Sequence, residues 1–67
     1  MKVYISADIE GVCGVSHREH TSRKGREHNL ARRLMTGEVN AAIEGAFEAG
    51  AENVLVNDSH ATMRNLL

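Results

Sequence analysis

Ile5-Ser6-Ala7-Asp8-Ile9-Glu10-Gly11, with the residues leading into it, is the stretch that decides the fold. From Lys2 to Ala7 the chain alternates. Val3, Ile5 and Ala7 fall on one side, and Lys2, Tyr4 and Ser6 on the other, as in a strand with one packed face. The apolar pattern stops at Asp8, and Glu10 follows two residues later. If extended geometry carries that far, both carboxylates point the same way. Gly11 then lets the backbone turn sharply. Neighbouring carboxylates repel unless a cation or a shared proton lies between them. A hard-cation site is one reading of this strand end; a pair of solvated loop acids capping nearby amides is the other.

The far half of the chain supplies the partner elements. From Asn29 the apolar residues recur at helical steps: Leu30, Leu34, Met35, Val39, Ala42, Ile43, Ala46 and Phe47. Thr36 and Gly37 interrupt this run, and Thr36 is suited to cap a second helix with Glu38 in its first turn. The pattern predicts one broken helix or two short ones ending at Ala49, with Gly50 as the stop. Val54-Leu55-Val56 follows, apolar without alternation, as in a strand covered on both faces.

Strand, long helix, strand is a βαβ unit with parallel strands and a right-handed crossover. The class is α/β, and the unit reads as the N-terminal part of a larger three-layer α/β domain. Parallel strands end at one edge, where open α/β sheets place their ligands. The first strand delivers Asp8 and Glu10 there, and the second delivers Asn57-Asp58-Ser59-His60. Two carboxylates and an imidazole suit zinc, manganese or iron better than calcium. His60 is otherwise an ordinary loop histidine. Asp58, with Ser59, reads as the cap of a short helix over Ala61-Thr62-Met63-Arg64-Asn65-Leu66. The other reading of Asp58 is a hydrogen bond that orients His60 or another ligand from behind.

Between the two halves, Val12-Cys13-Gly14-Val15 reads as a tight loop under the acidic pair. Cys13 lies near His17 and His20 in sequence, an arrangement open to a nucleophilic role. A free cysteine among valines more commonly packs as a small apolar residue. Ser16 to His28 is the most polar stretch. Its acids Glu19 and Glu27 dilute the basic residues, and no aromatic is interleaved for base stacking. His17 and His20 have no cysteine or carboxylate at a diagnostic metal spacing. A solvated surface loop, able to overhang a site, is the expectation.

Composition narrows the setting. Chains of 67 residues bury only ~60% of their unfolded surface. This one is 42% hydrophobic but 3% aromatic, so the core is aliphatic and light, and a metal or an assembly partner is called for. The single cysteine excludes an internal disulfide. A net charge of −1 offers no field for nucleic acid or an acidic membrane. No apolar run approaches the ~20 residues of a membrane span. Met1-Lys2-Val3-Tyr4 turns polar too early for a signal peptide, and a cytoplasmic location is expected.

Taken together, Asp8-x-Glu10-Gly11, the helix Leu34-Met35-Thr36-x-Glu38-x-Asn40-x-x-Ile43 and the segment Val56-Asn57-Asp58-Ser59-His60 resemble the D-aminopeptidase family named after DppA, metallopeptidase family M55. The likeness runs the length of the chain and includes Gly50 and Met63-Arg64-Asn65-Leu66; it is least in the loop from His17 to His28. The resemblance implies a binuclear zinc centre in which Asp8 bridges two ions, Glu10 binds one and His60 the other. A further histidine and glutamate ligand and a catalytic histidine are implied downstream of Leu67, so no catalytic residue is expected among these 67. It also implies metal-activated water cleaving N-terminal D-amino acids, such as D-Ala, from short peptides, and homo-oligomeric rings. Three protein ligands do not saturate two zinc ions, so the isolated chain is expected to bind metal weakly and to be inactive.

Two other classes fit parts of the sequence. Asp8-Ile9-Glu10-Gly11-Val12 is similar to the opening motif of haloacid-dehalogenase-like, magnesium-dependent phosphohydrolases, with Glu10 in place of that motif's second aspartate and no role for Asn57-Asp58-Ser59-His60. A non-catalytic assembly fragment, docking through the helix face from Leu30 to Phe47, is the other.

Overall fold

The computed structural model describes all 67 residues, Met1–Leu67. Strand β1 (Lys2–Ala7) leads into a 3-10 turn (Ile9–Gly11), a one-turn helix α1 (Arg18–Thr21), the long helix α2 (His28–Glu48) and strand β2 (Asn53–Asp58). The strands pair in parallel, from Lys2 opposite Asn53 to Ala7 opposite Asp58. This is the expected α/β unit, with α2 as its crossover. No helix is long and apolar enough to cross a membrane.

Helix α2 runs unbroken through Thr36 and Gly37. A glycine inside a helix costs about 1 kcal/mol against alanine, too little to divide a helix otherwise held by packing. Thr36 caps nothing. Its hydroxyl donates to the Arg32 carbonyl at 2.9 Å and accepts the Leu67 amide at 3.0 Å. The helix stops where anticipated: Gly50 has φ 101°, and the Ala51 and Gly50 amides fold back onto the Ala46 and Phe47 carbonyls.

The buried stripe of α2 is His28, Ala31, Met35 and Val39, one position on from the expected Leu30 and Leu34. Leu30, Leu34 and Phe47 lie exposed. The i, i+4 row that contains Leu30 and Leu34 meets the charged Glu38, whereas Ala31, Met35, Val39 and Ile43 stay apolar for three turns. That second row packs on Ala7, Ile9 and Val12, with Val15, Ile43, Val56 and Leu66 at the margin. Ile9 and Met35 are fully enclosed. The other sheet face is open: Tyr4 is 61% and Leu55 66% exposed, so within these residues β2 is not covered on both sides.

After β2 there is no helix. Ala61 and Met63 have φ of 46° and 63°, and the tail returns across the end of the sheet. Asp58 holds that tail instead of capping a helix. Its carboxylate accepts the backbone amides of Asn65 and Leu66 and the Asn65 side-chain amide. Asn65 is buried and joins three segments. Its Nδ2 also donates to the His60 carbonyl at 2.8 Å. Its Oδ1 lies 3.2 Å from His28 Nε2, and its carbonyl accepts Arg32 Nε at 3.0 Å. Ser59 ties the two strand exits together, through its amide to the Ala7 carbonyl (2.8 Å) and its hydroxyl to that of Ser6 (2.6 Å).

Asp58 sits under two opposing influences. Burial pushes its pKa up, but the Asn65 side-chain amide and the amides of Leu66, Asn65 and His60 outweigh burial, and the net shift is downward. A carboxyl with a depressed folded pKa contributes stability that is complete above the ordinary value of about 3.9. That contribution disappears as pH falls through the lower folded value. Acid titration of the metal-free chain, followed by its thermal midpoint, will show a loss of stability below about pH 4 that Asp58→Asn reduces. Asn65→Ala strands the His28 ring and removes one donor from Asp58; a destabilisation of about 3 kcal/mol is expected, read from the urea midpoint.

Candidate metal centre

Strand β1 ends at Ala7, and the two acids do not continue it. Asp8 is extended (φ −130°, ψ 127°) and caps the 3-10 turn, its Oδ1 accepting the Glu10 amide at 3.4 Å. The expected period of two therefore does not operate here; the turn brings Glu10 round instead. The two carboxylates still converge. His60 Nδ1 lies 3.2 Å from Asp8 Oδ1 and 2.9 Å from Glu10 Oε1. One donor atom from each of the three residues falls within 4.8 Å of the others. Both acids face solvent, while most of the His60 ring is covered.

The other ring nitrogen decides what this cluster requires. His60 Nε2 is 3.0 Å from the carbonyl of Thr21, at the end of α1. A carbonyl only accepts, so Nε2 carries the proton, and in a neutral imidazole Nδ1 is then a bare lone pair. That lone pair faces two carboxylates, which when ionised also only accept. Three acceptors meet with no donor among them. A proton or a metal cation has to sit between them, and two oxygens plus one imidazole nitrogen make a borderline donor set suited to zinc. An outer hydrogen bond on the far nitrogen is the usual means of aiming a ligand histidine.

A second cluster has the same residue types and opposite electrostatics. His17, His20 and Glu27 also bring one donor atom each within 4.8 Å. Here both Nδ1 atoms are occupied: His20 accepts the Ser16 amide at 3.3 Å, and His17 accepts the Glu19 amide at 3.1 Å. The protons therefore lie on Nε2. These face Glu27 Oε2, at 2.7 Å from His20 and 3.6 Å from His17. The His20 donor meets its acceptor, the half-exposed His17 leaves its own to solvent, and the group needs no cation.

Sequence reasoning missed this second cluster because Glu27 arrives through a closed loop. The Glu27 amide donates to the Glu19 carbonyl at 3.2 Å and the Arg26 amide to Glu19 Oε2 at 2.8 Å. The Arg26 amide holds the Glu19 carboxyl below its usual pKa. Any side chain at Gly25 would collide with the Glu19 carbonyl. The stretch from Ser16 to His28 is thus no simple solvated loop, since His20 (6% exposed) and His28 are buried. The one available signal was the i, i+3 spacing of His17 and His20. Cys13, expected to pack, is exposed; its amide donates to Glu38 Oε1 at 3.1 Å, and no imidazole bonds its thiol. A groove lined by Glu10, Val15, Ser16, His17, Arg18 and Thr21 opens beside the acids.

The chain as a whole has counterparts among known proteins. A curated D-aminopeptidase from Bacillus subtilis (strain 168) is 42% identical over all 67 residues, which correspond to 24% of its length. The solved structure of the Zn-dependent D-aminopeptidase DppA from Bacillus subtilis, described as a self-compartmentalizing protease, superposes on the whole chain with a TM-score of 0.98 at 42% identity, again over 24% of that protein. The chain thus spans about a quarter of the length of the relatives it matches. The D-aminopeptidase family, peptidase family M55, also matches from residue 1 to residue 67, and the chain belongs to that family.

Proposed function

We propose that Asp8, Glu10 and His60 are zinc ligands and that the chain forms part of the active site of a D-aminopeptidase. The observation that carries this reading is the convergence of His60 Nδ1 on two carboxylate oxygens, at 2.9 and 3.2 Å, in a member of this family. Asp8, Glu10 and His60 would each hold the metal through one donor atom. Zinc bound there supplies Lewis acidity, polarising a peptide carbonyl and acidifying water. The protein's own contribution is to aim the donors: the strand pairing places Asp8, the 3-10 turn swings Glu10 inward, and Thr21 fixes the imidazole. The substrate class proposed is short peptides with an N-terminal D-residue such as D-Ala. The self-compartmentalizing relative supports a homo-oligomeric assembly as well. A phosphohydrolase reading of Asp8 gains nothing from this arrangement, since it leaves His60 without a role.

Cobalt(II) spectra and calorimetric zinc titration test the ligand set. His60→Ala and Glu10→Gln are expected to weaken binding at least about tenfold, since losing a direct donor exceeds losing an outer partner. His17→Ala is expected to leave it unchanged, and the reverse pattern would move the site to the wrong cluster. Two ions share more donors than the three that converge here, so the purified chain is expected to hydrolyse D-alanyl-D-alanine little or not at all. Turnover that follows the mass-verified 67-residue chain through purification overturns that expectation.

A further inference from the structure

The Ser16–His28 segment carries two buried histidines and a closed hydrogen-bonded loop, yet none of its side chains hydrogen-bonds or ion-pairs with the candidate metal ligands. Its one link to them is a backbone atom, the Thr21 carbonyl 3.0 Å from His60 Nε2. Thr21 ends a four-residue helix, too short to hold its own position. What anchors it is the preceding residue. His20 is buried, and its Nε2 proton meets Glu27 Oε2 at 2.7 Å while Nδ1 takes the Ser16 amide. Glu27 is in turn fixed to Glu19 by its own amide and opens directly into α2.

We propose that the His20–Glu27 pair positions the His60 imidazole: it holds α1 where the Thr21 carbonyl captures the Nε2 proton of His60, which commits Nδ1 to Asp8 and Glu10. His20 and Glu27 are positioning residues and touch no metal. The path has three links: Glu27 to His20, His20 to the adjoining Thr21 carbonyl, and that carbonyl to the far side of the ligand ring. Without the last link the neutral ring is free to carry its proton on Nδ1. A proton there would satisfy the two carboxylates and block the nitrogen that zinc needs. This inference rests on the zinc reading of the site for its consequence, but not for its geometry.

The test separates the two. Nitrogen-15 shifts of the histidine rings, recorded on the zinc-loaded full chain, report which nitrogen of His60 bears the proton and which the metal. The unaltered chain is expected to hold it on Nε2. Glu27→Ala, with its fold checked by circular dichroism, is expected to give a mixture of tautomers and to weaken zinc binding by roughly tenfold, the lower end for an outer-shell change. Glu27→Gln keeps an acceptor oxygen for His20 and is expected to restore both. A proton on Nδ1 in the unaltered chain overturns the proposal whatever the variants do. So does a Glu27→Ala chain that folds and keeps both the Nε2 proton and full zinc affinity. Failure of the unaltered chain to bind zinc at all would count against the metal reading alone, and protection of the His60 Nε2 proton from solvent exchange in the metal-free chain, kept in the unaltered chain and lost in Glu27→Ala, would still decide the positioning role.

Discussion

Everything at the candidate site depends on the parallel register of two strands. With Ala7 opposite Asp58, both strands reach the same edge at the same level, and the next residues of each leave the sheet together. Ser59 secures that exit by bonding back to Ala7 and Ser6, so the step from β2 into His60 starts from a fixed point. A parallel pair needs a long crossover, and the unbroken α2 provides it while burying the apolar side of β1. A slip of one residue would turn His60 away from Asp8 and would invert the packing of the whole strand.

The two histidine clusters show how little residue type alone says about metal binding. Each has imidazole and carboxylate within reach of one point. In one, backbone amides occupy the Nδ1 lone pairs, and the protons left over find a carboxylate. In the other, a backbone carbonyl takes the proton, and the lone pair left over finds two carboxylates. Whether a backbone donor or a backbone acceptor faces the far nitrogen separates a finished hydrogen-bond network from a site that lacks a positive charge.

That distinction was out of reach of the sequence, whereas the frame around it was not. Alternation in β1, the helical period from Asn29 and the apolar run at Val54 are local patterns, and they located the strands, the crossover and the shared edge. The meeting of Asp8, Glu10 and His60 at one edge was legible because strand ends need no side-chain detail to be placed. In the inner row of α2, Met35, Val39 and Ile43 were legible, but Leu30 and Leu34 were put in place of His28 and Ala31 because leucines outweigh alanines in any hydropathy reading, while the contact itself selects the row that stays apolar longest. The return of the tail through Asn65, and the approach of Glu27 to His20, depend on contacts between residues far apart or around a tight loop. No period or motif encodes them. Asp58-Ser59 looked like a helix cap because capping residues and tail-binding residues use the same short acceptors.

The left-handed backbone at Ala61 and Met63 carries a last consequence. Neither residue favours that conformation, which costs roughly 1 kcal/mol or more apiece for a side chain with a Cβ. One local bond, from the Met63 amide to the His60 carbonyl at 2.8 Å, closes the turn. The rest comes from Asn65, and Asn65 is seated on His28 and Arg32, 37 and 33 positions earlier in the chain. The turn just beyond the imidazole is therefore a product of tertiary assembly: in the unfolded polypeptide it relaxes, and whatever affinity for cations the three donors possess comes into being only when helix and sheet have closed on each other.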